Sequence, residues 1–93
     1  MIMHVVLMRF ADPADADEAV RLAEGLAHQI PVVRRLVAGP TVVSTANSYD
    51  VGLVVEVDTI EDLQSYHHHP AHEAAATFFR AKRSAVSSID LAV

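Results

Sequence analysis

Apolar residues along this chain run together or alternate in four stretches and recur at helical spacing in the segments between them. From Ile2 to Phe10 the chain is apolar and β-branched with a period of two: Ile2, His4, Val6, Met8 and Phe10 share one face, and Met3, Val5, Leu7 and Arg9 the other. Both faces are largely apolar, so this strand is expected to be covered on both sides. Asp12-Pro13 reads as a helix start, an oxygen acceptor followed by a residue whose missing N–H costs nothing in the first turn. Ala19, Leu22, Ala23, Leu26 and Ile30 then repeat at helical spacing, with Asp15, Asp17, Glu18 and Glu24 mostly on the wet side, and Pro31 stops the helix. Val32 to Val43 is a second extended region broken by Gly39-Pro40, and residues 44–48 form a polar loop of turn formers. Tyr49 to Val57 reads as a central strand, apolar on both faces, with Gly52 marking a close backbone approach. Asp58-Thr59-Ile60-Glu61 has the form of a capping box with Asp58 as the cap, opening a short helix to Tyr66 or His67. Pro70 can begin another helix through Ala74, Ala75, Phe78 and Phe79 to about Arg83, and Ser84 to Val93 alternates as a last strand.

The order is β-α-β-β-α-β, the ferredoxin-like α+β plan: an antiparallel four-stranded sheet with its helices on one face. The bare face of such a sheet, if apolar, needs a partner, and a second copy closing on it makes a dimeric α+β barrel. Composition sharpens this expectation. Residues 1–93 suit a single domain, in which 52% of residues are hydrophobic but only 5% aromatic, an excess of small aliphatic surface. The expected partner is therefore a homodimer mate. A net charge of -5 repels phosphate backbones and argues against nucleic acid. No apolar run reaches the roughly 18 residues a membrane span needs, and Met1-Ile2-Met3-His4 lacks the basic start of a secretion signal, so a cytoplasmic protein that does not enter membranes is expected. With no cysteine, disulfides and thiolate chemistry are excluded.

Four of the six histidines, His67, His68, His69 and His72, fall within six positions, beside Tyr66 and Glu73. Imidazoles exchange protons near neutral pH, and a neighbouring phenol can donate to an oxygen. The bland reading makes His67 and His68 solvated loop residues. His69, His72 and Glu73 lack the spacing of a helical metal motif, and Pro70 interrupts the turn between them, so no metal is expected. His4 shares its strand face with Ile2, Val6 and Met8. It should be buried and must find a hydrogen-bond partner, either as a core histidine or, with His72, in the wall of a cavity under the helices.

The segments Met3-His4-Val5-Val6-Leu7-Met8-Arg9-Phe10, Tyr49 to Val57 and Tyr66-His67-His68-His69-Pro70-Ala71-His72 resemble those of the stress-responsive A/B barrel (Dabb) family, over nearly the whole chain. The resemblance implies a βαββαβ dimer. A plant polyketide cyclase of that family closes its substrate by aldol condensation without metal or cofactor. Carried over, this implies His72 as general base and Tyr66 as hydrogen-bond donor to the substrate oxygen, with His4, Val6, Met8, Val51, Leu53 and His69 lining the substrate pocket. Val51 stands where the cyclase has a further histidine, and Ala19, Val20 and Ala23 stand where it has bulky residues. HPAH also has a structural reading, in which His69 or His72 ties its loop to the strand carrying Asp50 or to a backbone carbonyl. Two functions follow. One is a cofactor-free lyase, cyclase or isomerase acting by proton transfer on a small apolar oxygenated molecule; the other is a non-catalytic dimeric stress-response or small-molecule-binding protein.

Overall fold

Helix α1 (Pro13–Gln29) begins where the cap signal lies: the Asp12 carboxylate accepts from Ala14 N–H at 2.9 Å and Pro13 occupies the first turn. It ends at Ile30, directly before Pro31. Around it, in the computed structural model of residues 1–93, lie strands β1 (Ile2–Phe10), β2 (Arg35–Pro40), β3 (Val51–Val57) and β4 (Arg83–Ala92), and helices α2 (Ile60–His68) and α3 (Pro70–Lys82). The sheet order is β2-β3-β1-β4 with every neighbouring pair antiparallel, the ferredoxin-like topology, its second helical segment divided in two at Pro70. The two strands that are apolar on both faces, β1 and β3, are the two central ones.

All three helices pack on one face. There Met8, Val51, Leu53, Val55 and Val57 meet Ala23 and Leu26 of α1, Leu63 and Tyr66 of α2, and Phe79 of α3. Alanines 19, 23 and 75 keep the helices close to the sheet and to one another. The opposite face has no helix on it. It carries Met3, Val5, Leu7, Val37, Val54, Ile89 and Leu91, of which Leu7, Val37, Ile89 and Leu91 are 38–55% exposed.

Several expectations change in detail. The cap of α2 is Thr59, whose hydroxyl accepts from Asp62 N–H at 3.1 Å. Asp58 instead accepts from Nε and an Nη of Arg34, at 2.9 and 2.6 Å, because it sits at the end of β3 facing the turn before β2. Gly39-Pro40 ends β2 rather than breaking it; β2 is an edge strand, where a residue without N–H is tolerated. Gly52 makes no close approach, since a methyl there would meet only the Leu7 side chain at 3.9 Å, an ordinary contact. No helix is long and apolar enough to cross a membrane.

Leu26→Ala should lower unfolding free energy by about 2–5 kcal/mol, and Thr59→Ala by about 1 kcal/mol. Asp58→Ala should cost less than Thr59→Ala in urea titrations; the reverse order would return the cap to Asp58.

Candidate functional site

The parity of β1 turns His4 inward with Val6 and Met8, and the β1–β4 register sets Asp90 directly beside it. His4 is 7% exposed, the one imidazole among the buried set. Its Nδ1–H donates to the Asp90 carboxylate, so a neutral His4 presents the lone pair of Nε2 to the cavity. Opposite that lone pair, 3.4 Å away, is Nε2 of His67, which then has to be the donor.

His67 stands in the last turn of α2, and its ring lies between those of His4 and His72, at centroid separations of 4.8 and 5.1 Å. It is half-buried, which overturns the reading of His67 as a solvated loop residue; only His68 of that pair is exposed. The signal was available in the chain. Leu63, Tyr66 and His67 fall at i, i+3 and i+4, one face of a helix, once α2 is carried through His67 to His68. Tyr66 is fully buried, 4.8 Å from the ring of His72. Its hydroxyl and Nδ1 of His72 are buried without a hydrogen-bond partner. Buried polar atoms of this kind are rare in folded proteins and call for an explanation.

These groups line a cavity of about 290 Å³, at the small end of the roughly 300–1,000 Å³ usual for ligand pockets. Of the residues expected in its wall, His4, Val6, Met8, Leu53, Tyr66 and His72 are there. Val51 is in the hydrophobic core and outside this wall. His69 is also outside: its Nδ1 accepts from Ala71 N–H at 3.0 Å and caps α3, because the first N–H groups of a helix have no acceptor within it. Asp50 is tied to the backbone of Phe10 at 2.8 Å rather than to a histidine. No three His, Asp or Glu side chains converge as metal ligands. The reading from sequence missed His67, Arg80 and Arg83, all of which line the cavity.

Burial holds the imidazoles of His67 and His72 below their ordinary pKa, and each is pushed further down by a neighbouring imidazole, His4 for His67 and His67 for His72. Burial raises the Tyr66 hydroxyl above the usual tyrosine value, so it stays protonated and can donate. Near neutral pH Tyr66 is thus a phenol donor beside the neutral imidazoles of His67 and His72. Linkage gives a sign. Because the folded state refuses protons that the unfolded chain accepts, the histidine contribution is complete above the ordinary histidine value of 6.5 and is lost as pH falls through the depressed folded values. Stability measured by urea denaturation should fall as pH drops below 6.5, and His67→Leu should flatten that slope; an unchanged slope would mean His67 carries no such shift.

No curated protein matches the sequence. Solved structures do match. A dimeric ferredoxin-like protein of unknown function from Thermobifida fusca YX is 23% identical, with 99% of this chain and 90% of that one covered and a TM-score of 0.88. A protein from Arabidopsis thaliana is 26% identical, covering 100% of this chain and 95% of that one, with a TM-score of 0.84. A hydroxynitrile lyase from Passiflora edulis is 12% identical, covering 99% and 92%, with a TM-score of 0.85. At such identities the likeness is one of fold. The sequence profile of the Stress responsive A/B Barrel Domain, by contrast, matches residues 2–93, and the chain belongs to that Dabb family.

Proposed function

We propose that the cavity binds a small apolar oxygenated molecule and catalyses proton transfer on it without a cofactor. His72 takes a proton from the carbon next to a carbonyl, Tyr66 donates a hydrogen bond to the carbonyl oxygen as it gains charge, and His4 orients the cluster. The observation that carries this reading is the pair of unsatisfied atoms, Tyr66 Oη and His72 Nδ1, buried side by side in the cavity wall. A base and a donor that find no partner in the protein are suited to one in a ligand. The depressed basicity of His72 keeps it unprotonated, and the raised value for Tyr66 keeps its hydroxyl a donor, as these roles require. That a hydroxynitrile lyase has the same fold is consistent with catalysis. Elimination, isomerisation and aldol cyclisation all begin with such a proton abstraction, so the proposal covers lyase, cyclase and isomerase outcomes.

A second reading is a non-catalytic binding protein. It is favoured by the structural use of His69 as a helix cap and by the aliphatic Val51 outside the cavity. Proton exchange separates the two. A panel of methyl ketones from 2-butanone to 2-nonanone, incubated with the protein in D₂O, should gain deuterium next to the carbonyl faster than in buffer. His72→Ala should slow this by about 10²–10⁴-fold and Tyr66→Phe by about 10²–10³-fold, with circular dichroism unchanged. Ketones that bind but do not exchange would favour the binding protein. Neither binding nor exchange across the panel would sink both.

We also propose that the open sheet face packs on a second copy of the chain. The supporting observation is the exposed stripe of Leu7, Val37, Ile89 and Leu91 across all four strands' outer face with Met3, Val5 and Val54 between, together with the dimeric state named for the Thermobifida fusca relative. Light scattering should give twice the 10.1 kDa chain mass at micromolar concentration, and Val5→Asp should shift the species toward monomer. A stable wild-type monomer would remove the barrel.

A further inference from the structure

The cavity wall changes character along its length. At one end are His4, Tyr66, His67 and His72; at the other are Arg80 and Arg83; between them the wall includes Met8, Phe79 and Val86. Two independent rulers measure the separation. His72 lies in the first turn of α3 and Arg83 directly follows its last residue, so the two are eleven residues apart, about 16 Å at the helical rise. On the sheet, His4 pairs with Asp90 and Phe10 with Arg83, six strand residues, or about 20 Å. These are backbone separations, shortened by the imidazole and guanidinium side chains that reach into the cavity from either end, and they make the two groups the ends of a slot rather than neighbours in one cluster.

The charge of this wall is opposite to that of the chain. No Asp or Glu lines the cavity, although the protein carries 12 acidic residues against 7 basic ones. Arg83 is half-buried and makes no ion pair, and Arg80 has only Glu73, loosely, at 3.9 Å with both side chains mostly exposed. Elsewhere in the chain, Arg21 and Arg34 each hold a carboxylate in close contact. The helix dipole accounts for basic residues in the last turn of α3, and Lys82 satisfies that need without entering the wall. It does not account for two guanidinium groups lining the end of an acid-free slot. Guanidinium is the side chain best matched to a planar carboxylate, through two parallel N–H donors.

We propose that the ligand of this cavity is an extended keto acid: a carbonyl at the histidine end, an aliphatic or aryl middle, and a carboxylate held by Arg83 with Arg80. This names the substrate class of the proton-transfer site and rests on that reading for the carbonyl end alone. The arginines select for charge and length, whereas the histidine end performs the chemistry. A short keto acid cannot reach both ends, so length is part of the recognition.

The test compares 7-oxooctanoate with its amide, with 2-octanone, and with the shorter 4-oxopentanoate, by calorimetry and by the imidazole resonances of His67 and His72. At low ionic strength 7-oxooctanoate should bind roughly tenfold more tightly than 7-oxooctanamide, as for a hydrogen bond to a charged group, and the margin should shrink with added salt. Arg83→Gln should abolish the margin, while Arg83→Lys should retain part of it. 4-Oxopentanoate should show little gain over its own amide. Equal binding of acid and amide in the wild type would overturn the keto-acid inference and leave the proton-transfer reading standing. An acid preference that survives Arg83→Gln and Arg80→Gln together would also overturn it. If none of the four compounds moves the His67 and His72 resonances, both readings fail.

Discussion

The hydrogen bond from His4 to Asp90 is the contact on which the rest of the pocket depends. A buried imidazole with no partner would be unfavourable by itself, and His4 is only 7% exposed. The carboxylate resolves this by accepting from Nδ1, and in doing so it decides which nitrogen of His4 faces inward. His67 is oriented in turn, with its Nε2 toward His4, and His72 follows with its ring against His67. One exposed carboxylate at the sheet edge therefore sets the hydrogen-bonding sense of two imidazoles, His4 and His67, reaching into the fold.

The run of histidines divides its labour along a single backbone break. Pro70 ends one helix and begins the next, so the residues on either side face different ways. His67 closes the last turn of α2 toward the cavity, His68 faces solvent, His69 caps α3 with its ring nitrogen, and His72 turns back inward from the first turn of α3. Chemically identical side chains acquire four environments within six positions. The same break lets α3 lie along the slot, so that its inward stripe His72, Ala76 and Phe79, continued by Arg83 at the start of β4, runs from imidazole to guanidinium.

The two faces of the sheet use the same rule to opposite ends. On the covered face, the period of two puts His4, Val6 and Met8 under the helices, where the cavity forms. On the open face it leaves Met3, Val5 and Leu7 without a helix above them. A slip of one residue in β1 would exchange the faces, bury Arg9 and expose His4. Pairing to both β3 and β4 along nearly its whole length holds the strand in register.

Much of this was legible in the chain itself, because local signals carry their own geometry. The period of two and the 3.6-residue spacing determined the four strands and the helical segments. Asp12-Pro13, Pro31 and Pro70 marked helix ends by what their side chains accept or their backbones lack. The inward parity of His4 followed from its apolar neighbours on β1. Other features depend on residues far apart in sequence, and these only the tertiary structure decided. Asp58 is drawn from its expected cap by Arg34 across the sheet end, Asp90 meets His4 only through the register of β4, and Val51 stays outside the cavity. His67 joins the cluster because the last turn of α2 brings its ring against that of His4 on β1, and Arg83 reaches the slot because β4 starts directly after α3. Spacing along a chain determines which face a residue shares with its neighbours; what that face meets is determined by packing.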